Sequence, residues 1–250
     1  MRKKNGSARK TTRKNKRQSG STSSRWFWRL FLWITYAVVL YQSWLLFHVL
    51  YWKHNDPKNT AFMQSQLENL RESNPNAILN QQWVSYRQIS YEMKRAIIVA
   101  EDSKFLQHQG FDYESIRNAL KRNLEQGSIT VGGSTITQQL AKNLFLSEKK
   151  SILRKIQEAI ITVMLETVMS KQRILEIYLN VIEWGNGVFG VEAAAQHYFG
   201  RSAVSLTAEQ ATYLAAMVTN PRYYDTHRQS QHLLKKRDIL LNRLHSAKIP

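Results

Sequence analysis

Cysteine is absent from this chain of 250 residues, which excludes a disulfide framework and a thiolate metal site and leaves the redox compartment open. Acidic residues are absent from the first 29 positions, where eleven Lys and Arg stand. More than half of the formal charge of +18 therefore sits in that tail, and residues 30–250 carry only +7. No repeat with a period of roughly 20 to 50 residues is visible, which argues against a solenoid. Runs of alternating apolar and polar residues are also missing, so a helical fold is expected. The length suits one substantial domain with appendages.

The tail, MRKKNGSARKTTRKNKRQSGSTSSR, has almost nothing to bury, so ordering it would cost entropy with no apolar return. Residues 1–29 read as a disordered basic cytoplasmic tail. Leu30 to Trp52 follow, 23 residues without an acid, Lys or Arg. As a helix they span ~34 Å, enough to cross a hydrocarbon layer of ~30 Å with some tilt. Trp26, Trp28 and Trp52 stand near its ends, where indoles favour the interface. The run is too long for a signal peptide and lacks a small-residue cleavage pattern after it, so residues 30–52 read as a retained transmembrane helix. The positive-inside rule then puts the tail in the cytoplasm and the remainder outside. The tail's charge reads as an orientation signal that also meets anionic headgroups. Nucleic-acid binding is disfavoured, because no aromatic residue interleaves with the charges before Trp26.

Residues 53–82 contain Pro57, Pro75 and many Asn and Gln, with a short helical pattern near Phe62 to Leu70, and read as a stalk. From Trp83 onward helical periodicity dominates. Helices are expected at about 88–108, 113–125, 135–146, 152–169, 171–181, 189–198, 207–218 and 228–246, forming a compact all-α domain over 83–250.

Three stretches carry residues suited to chemistry. In AEDSKFLQHQGFD (100–112), two carboxylates follow an apolar run. On a helix Glu101 and Asp102 point ~100° apart, whereas Glu101, Phe105 and His108 share a face. One carboxylate can therefore face a cleft while the other serves structure. Apolar surroundings disfavour the charged form and raise a carboxyl toward the range useful for proton transfer; an exposed helix-end Glu is the equally weighted alternative. Gly110 suits a left-handed helix end, and Asp112 suits a cap for the next helix.

In GSITVGGSTITQQLAKN (127–143), Thr135 and Gln138 fit a capping box after Gly132 and Gly133. The helix start offers free backbone N–H groups, an anion site in principle, and Thr135, Gln138 or Gln139, and Lys142 share its face. As a bare pattern this is weak. In SEKKSILRKIQEAIITVMLE (147–166), Ser151 fits an N-cap, and Arg154 and Glu158 fit an i, i+4 pair. Glu158 shares its face with Ile161 and Leu165, which implies partial burial; an ordinary structural ion pair is the alternative. Lys149, Lys150, Arg154 and Lys155 add positive charge that suits a pyrophosphate.

Together with ILEIYLNVIEWGNGVFGVEAAAQHYFG and LTAEQATYLAAMVTNPRYY, these stretches resemble, in order and spacing over about 83–225, the motifs of the family 51 peptidoglycan glycosyltransferases. The resemblance implies a lysozyme-like α-helical domain on one N-terminal transmembrane helix. The activity it implies is polymerisation of lipid II into glycan strands, with the growing chain on undecaprenyl pyrophosphate as donor. Glu101 is then the general base that deprotonates the acceptor 4-hydroxyl for inverting attack, and Glu158 assists near the departing pyrophosphate. Asp102, Phe105, His108, Ser134, Thr135, Gln138, Lys142, Lys150, Arg154 and Asn180 match the substrate-binding set, with Asp102 orienting the segment. Tyr178 and Leu179, beside Asn180, read more simply as shaping the domain, as do Glu166, Glu176, Glu192 and Glu209. Lys104 stands where the family also carries Arg and is left out of the catalytic set.

No Lys-Thr-Gly occurs, and the Ser-x-x-Lys matches at 7–10 and 147–150 fall in the tail and among the glycosyltransferase motifs. A transpeptidase domain is therefore not expected, which fits the monofunctional biosynthetic branch. No dedicated metal cage is expected and no cofactor is firmly assigned, with Mg or Mn loosely bound and shared with pyrophosphate oxygens as the alternative. The implied partners are lipid II, the undecaprenyl-pyrophosphate glycan and the bilayer, joined by penicillin-binding proteins and divisome or elongasome components, with no nucleic acid. The implied location is the bacterial inner membrane, with the catalytic domain in the periplasm. Two competing readings remain at this point. One is a lysozyme-like hydrolase or lytic transglycosylase using Glu as an acid, and the other is an inactive membrane-anchored scaffold.

Overall fold

The computed structural model describes residues 21–127, 132–146 and 151–250. The chain divides into two units between Trp44 and Leu45. Helix α1 runs from Ser21 to Trp52. It begins nine residues before the expected start, so residues 21–29 are helical rather than disordered tail. Once a helix is nucleated, each added residue gains a hydrogen bond at little further cost. Within α1, Arg25–Trp52 is long and apolar enough to cross a membrane.

The second unit is mostly helical, as expected. It contains α2 (Ala61–Ser73), α3 (Tyr91–Glu101), α4 (Tyr113–Gln126), α5 (Ile136–Phe145), α6 (Ile152–Val168) and α7 (Lys171–Val181), then α8 (Val191–Phe199), α9 (Ala208–Met217), α10 (Pro221–Thr226) and α11 (Gln231–Arg243). Three short strands, β1 (Asn80–Gln81), β2 (Glu183–Gly185) and β3 (Val188–Phe189), form one sheet in the order β1-β3-β2. Strands of two or three residues are too short to leave an alternating pattern in sequence.

Residues 53–82 are not a free stalk. Thr60 caps α2 by accepting from the Met63 N–H at 3.1 Å. Helix α2 packs on α5, Met63 and Gln66 are buried, and β1 pairs in parallel with β3. Arg173 of α7 secures the preceding segment: its guanidinium donates to the carbonyls of Trp52 (3.0 and 3.1 Å) and Asn55 (2.6 Å) and pairs with Asp56. The exposed Asn and Gln of the stretch hide the few side chains that dock.

The core is built where apolar faces meet. Helix α3 packs on α9 and α11, and α5 packs on α6 and α7. Met93, Ile97, Ile136, Leu140, Ile161, Leu165, Ile174 and Tyr178 are among its fully buried residues. Six helix starts use the local chemistry their sequence supplies: Ser90, Asp112, Thr135, Ser151, Ser170 and Thr207 all accept a hydrogen bond from the N–H three residues on. The expected helix 228–246 begins only at Gln231, and Pro221 starts the separate short α10.

Helix α3 ends at Glu101, seven residues before the expected end. Asp102 leaves the helical conformation (φ −160°, ψ 74°). A turn then runs to Gly110, whose φ of 86° is the left-handed conformation expected of it. A Cβ on Gly110 would lie 2.6 Å from Cγ2 of Thr162, so this residue also allows close approach to α6.

Candidate active site

Because α3 stops at Glu101, that residue and its neighbour diverge. Asp102 is buried and turns toward α5. Its Oδ2 accepts from the Ile136 N–H at 3.1 Å, and its Oδ1 meets His108 Nε2 at 2.9 Å. The start of α5 is in principle an anion site. Its anion is instead the chain's own Asp102 carboxylate, while the Gln138 N–H is taken by Thr135 Oγ1 at 3.3 Å. The capping box forms as expected, with the Thr135 N–H donating to Gln138 Oε1 and Thr135 Oγ1 to the Gly110 carbonyl. Thr135 and Gln138 are thereby consumed in holding the helix start.

Gln139, one position on, reaches Glu101. Its Nε2 donates to Glu101 Oε2 at 2.8 Å, and its Oε1 accepts from the Tyr178 hydroxyl at 2.8 Å. Glu101 Oε1 is buried and has no hydrogen-bond partner among the described residues. Glu101, Asp102, Ser134, Thr135, Arg122 and Arg243 lie on the wall of a cavity of about 370 Å³. A second cavity, of about 310 Å³, is lined by Gln139, Lys142, Glu183, Thr219 and Arg222. The Glu101–Gln139 pair thus stands between two cavities.

Glu158 is 3 % exposed and tied to two cations. Arg154 Nη1 meets its Oε2 at 3.2 Å, and Lys155 Nζ bonds its Oε1. Ser134 Oγ lies 3.4 Å from Lys155 Nζ, so the first cavity's wall is linked to this cluster. Arg154 Nε is buried without a partner among the described residues.

Other expected site residues are placed differently. Phe105 is fully buried beneath the Lys171 ammonium, 4.5 Å from the ring centroid, and belongs to the core. With α3 ended, neither it nor His108 shares a helix face with Glu101; His108 serves Asp102. Asn180 is fully buried and exchanges hydrogen bonds of 2.9 Å with the N–H and carbonyl of Val84, with a third to the Glu176 carbonyl. That side chain clamps the chain before α3 and lines neither of these two cavities. Glu166, Glu176 and Glu192 are likewise engaged in the frame, with Lys171, the Tyr86 N–H and the Ala203 N–H. Lys142 lies 5.8 Å from the Phe62 ring and lines the second cavity. Lys149 and Lys150 lie outside the described residues.

Charge at the site has physical consequences. Burial raises the Tyr178 hydroxyl pKa well above its ordinary value, and the charges of Glu101 and Asp102 push the same way, so this hydroxyl remains a donor. Burial lowers the Lys236 ammonium pKa, opposed by the negative Glu101. Lys236 Nζ lies 3.3 Å from Thr219 Oγ1, beside the second cavity. Sequence reasoning missed Lys236 and weighed Gln139 only as an alternative to Gln138. The first hides in a basic stretch typical of a solvated helix, and nothing in a Gln-Gln pair says which amide the cap consumes.

Among the described residues no three His, Asp or Glu side chains group as metal ligands. Asp102 and Glu158 spend their oxygens on protein donors, so these carboxylates do not fit a resident divalent ion.

A partly buried carboxylate between two cavities, with clustered cations nearby, is the kind of arrangement found in an enzyme's active site. Comparison with known proteins narrows that class. The Transglycosylase family profile matches residues 67–245, and the chain belongs to that family. It is 56% identical over 241 residues to the biosynthetic peptidoglycan transglycosylase of Nitrosomonas eutropha, covering 96% of this chain and 98% of the relative. Identity to the protein of that name in Nitrosospira multiformis is 57% over 226 residues, covering 90% and 98%. For the one in Laribacter hongkongensis it is 58% over 212 residues, covering 85% and 93%.

Proposed function

We propose that this protein is a membrane-anchored peptidoglycan glycan-strand polymerase in which Glu101 is the general base. The observation that carries the assignment is the geometry of one carboxylate: Gln139 holds Oε2, and Oε1 has no partner among the described residues. In the proposed step the acceptor 4-hydroxyl of lipid II gives its proton to Glu101 Oε1 as its oxygen bonds to the donor's anomeric carbon. The bond from that carbon to the undecaprenyl pyrophosphate oxygen breaks on the opposite face, giving inversion. Two cavities flanking one base suit a reaction between two sugar substrates.

Glu158 acts on the charged side. With both oxygens bound to Arg154 and Lys155, it fixes two cations that are left with further donors for a pyrophosphate. Ser134, beside Lys155 on the first cavity, is assigned to the same donor region, whereas Lys142 brings its cation to the second cavity. Asp102, Thr135, Gln138 and His108 hold the frame of the base. The apolar run of α1 supports a single-pass anchor in the bacterial inner membrane, and the basic tail supports a cytoplasmic N-terminus with a periplasmic catalytic domain.

The test is incubation of the detergent-solubilised protein with labelled lipid II, resolved by glycan length, with Glu101→Gln and Glu158→Gln beside wild type. Wild type should build a ladder, and Glu101→Gln should lose about 10²–10⁴-fold in rate. Wild type that shortens preformed glycan but builds none would reverse the direction, and an active Glu101→Gln would remove the base assignment.

A further inference from the structure

Tyr178 lies in α7, is fully buried and lines neither cavity, so contact with substrate does not explain its hydroxyl. Among the described residues that hydroxyl makes one hydrogen bond, donating to Gln139 Oε1 at 2.8 Å. We propose that Tyr178 is a positioning residue for the general base: it fixes the direction of the Gln139 amide, and through it selects which Glu101 oxygen is left to take the proton. The inference rests on Glu101 being the base.

The hydrogen-bond chemistry has one consistent direction. An ionised carboxylate only accepts, so the amide atom facing Glu101 must be Nε2. The amide oxygen then faces Tyr178, which must donate. Turning the amide over would place two acceptors against each other at Glu101 and leave the buried phenol proton without its acceptor. Without the phenol, the terminal torsion of Gln139 regains its broad, roughly two-fold freedom. Gln139 would then spend less time donating to Glu101, and either carboxylate oxygen could turn toward the acceptor.

Charged and titratable groups from several elements surround Glu101. Asp102 precedes the turn after α3, Gln139 comes from α5 and Tyr178 from α7, while α11 contributes Lys236, and Arg122 of α4 and Arg243 of α11 stand on the cavity wall. None of these charges changes in a Tyr178→Phe variant. The base must be ionised to act, so activity falls as pH drops through the acid limb. Weakening a donor to the ionised form moves that limb upward.

The experiment is the pH dependence of kcat/KM for lipid II polymerisation by the full chain in detergent, for wild type, Tyr178→Phe, Gln139→Met and the double variant, with Glu101→Gln as reference. Tyr178→Phe should shift the acid limb up by about 0.5–1 pH unit and lower kcat with little change in KM. Gln139→Met should shift it in the same direction, and adding Tyr178→Phe to it should do nothing more. An unmoved limb in Gln139→Met overturns the proposal even if Tyr178→Phe proves unstable, as do equal losses from Tyr178→Phe in both backgrounds. An active Glu101→Gln would show that the base reading itself is wrong. An inactive Glu101→Gln with an unmoved limb in Tyr178→Phe would remove only the relay.

Discussion

Removal of the Asp102 carboxylate should damage the domain more than its single side chain suggests. Asp102→Ala strips the Ile136 N–H of its acceptor inside the fold and leaves His108 Nε2 unpaired. A buried unmade donor costs ~1–3 kcal/mol, and losing a negative charge at a helix start adds ~0.3–1 kcal/mol. The sum is about 1.3–4 kcal/mol, which for a domain of this size lowers Tm by roughly 3–16 °C. Asp102→Asn keeps the shape and one acceptor oxygen, so about half of that loss is expected. Thermal unfolding of the detergent-solubilised protein, followed by circular dichroism, reads both. A Tm for Asp102→Ala within about 2 °C of wild type would refute the helix-start role, as would Asp102→Asn proving as costly as Asp102→Ala.

Two further outcomes follow from packing and charge elsewhere. Gly110→Ala combines an unfavourable positive φ with a Cβ placed 2.6 Å from Thr162 Cγ2, so a loss of about 2–4 kcal/mol is expected; Thr162→Ser, which removes that methyl, should restore part of the lost Tm, and no recovery would show the contact to be harmless. Burial acts to raise the Asp225 pKa, but hydrogen bonds from the Asn186 N–H, Tyr198, Arg228 and His197 outweigh it and hold the carboxyl below its ordinary value. A depressed carboxyl stabilises the fold fully above the unfolded value near ~4, and this contribution is lost as pH falls through the folded value. Wild type should therefore lose stability on acidification that Asp225→Asn does not lose, and parallel Tm curves from about pH 6 to 3 would refute it.

The parts of the site legible in sequence are those whose signal is local. Thr135 and Gln138 announced their capping box, Ser151 its cap, and Arg154 and Glu158 their pairing one turn apart, because each is decided within four residues. The chemistry of Glu101 and Glu158 came from family resemblance, since an isolated carboxylate on a helix carries no such information. What escaped depends on partners distant in sequence. The end of α3 cannot be placed without knowing that Asp102 finds the start of α5, 34 residues away. The burial of Asn180 depends on Val84, 96 residues away, and the role of α2 on a few buried side chains in an otherwise polar stretch. Gln139 was ambiguous for the same reason: its partners Glu101 and Tyr178 lie 38 and 39 residues away.

The adjacent residues Glu101 and Asp102 grip α5 at two points three residues apart, the side chain of Gln139 and the backbone of Ile136. Two such grips set rotation as well as position. One residue inserted between Ile136 and Gln139 would carry the amide ~100° around its helix and out of reach of the base, whereas length added before Gly132 would leave both grips in register. Divergence within this enzyme class thus has room in the loop that enters α5 and almost none in its first turn.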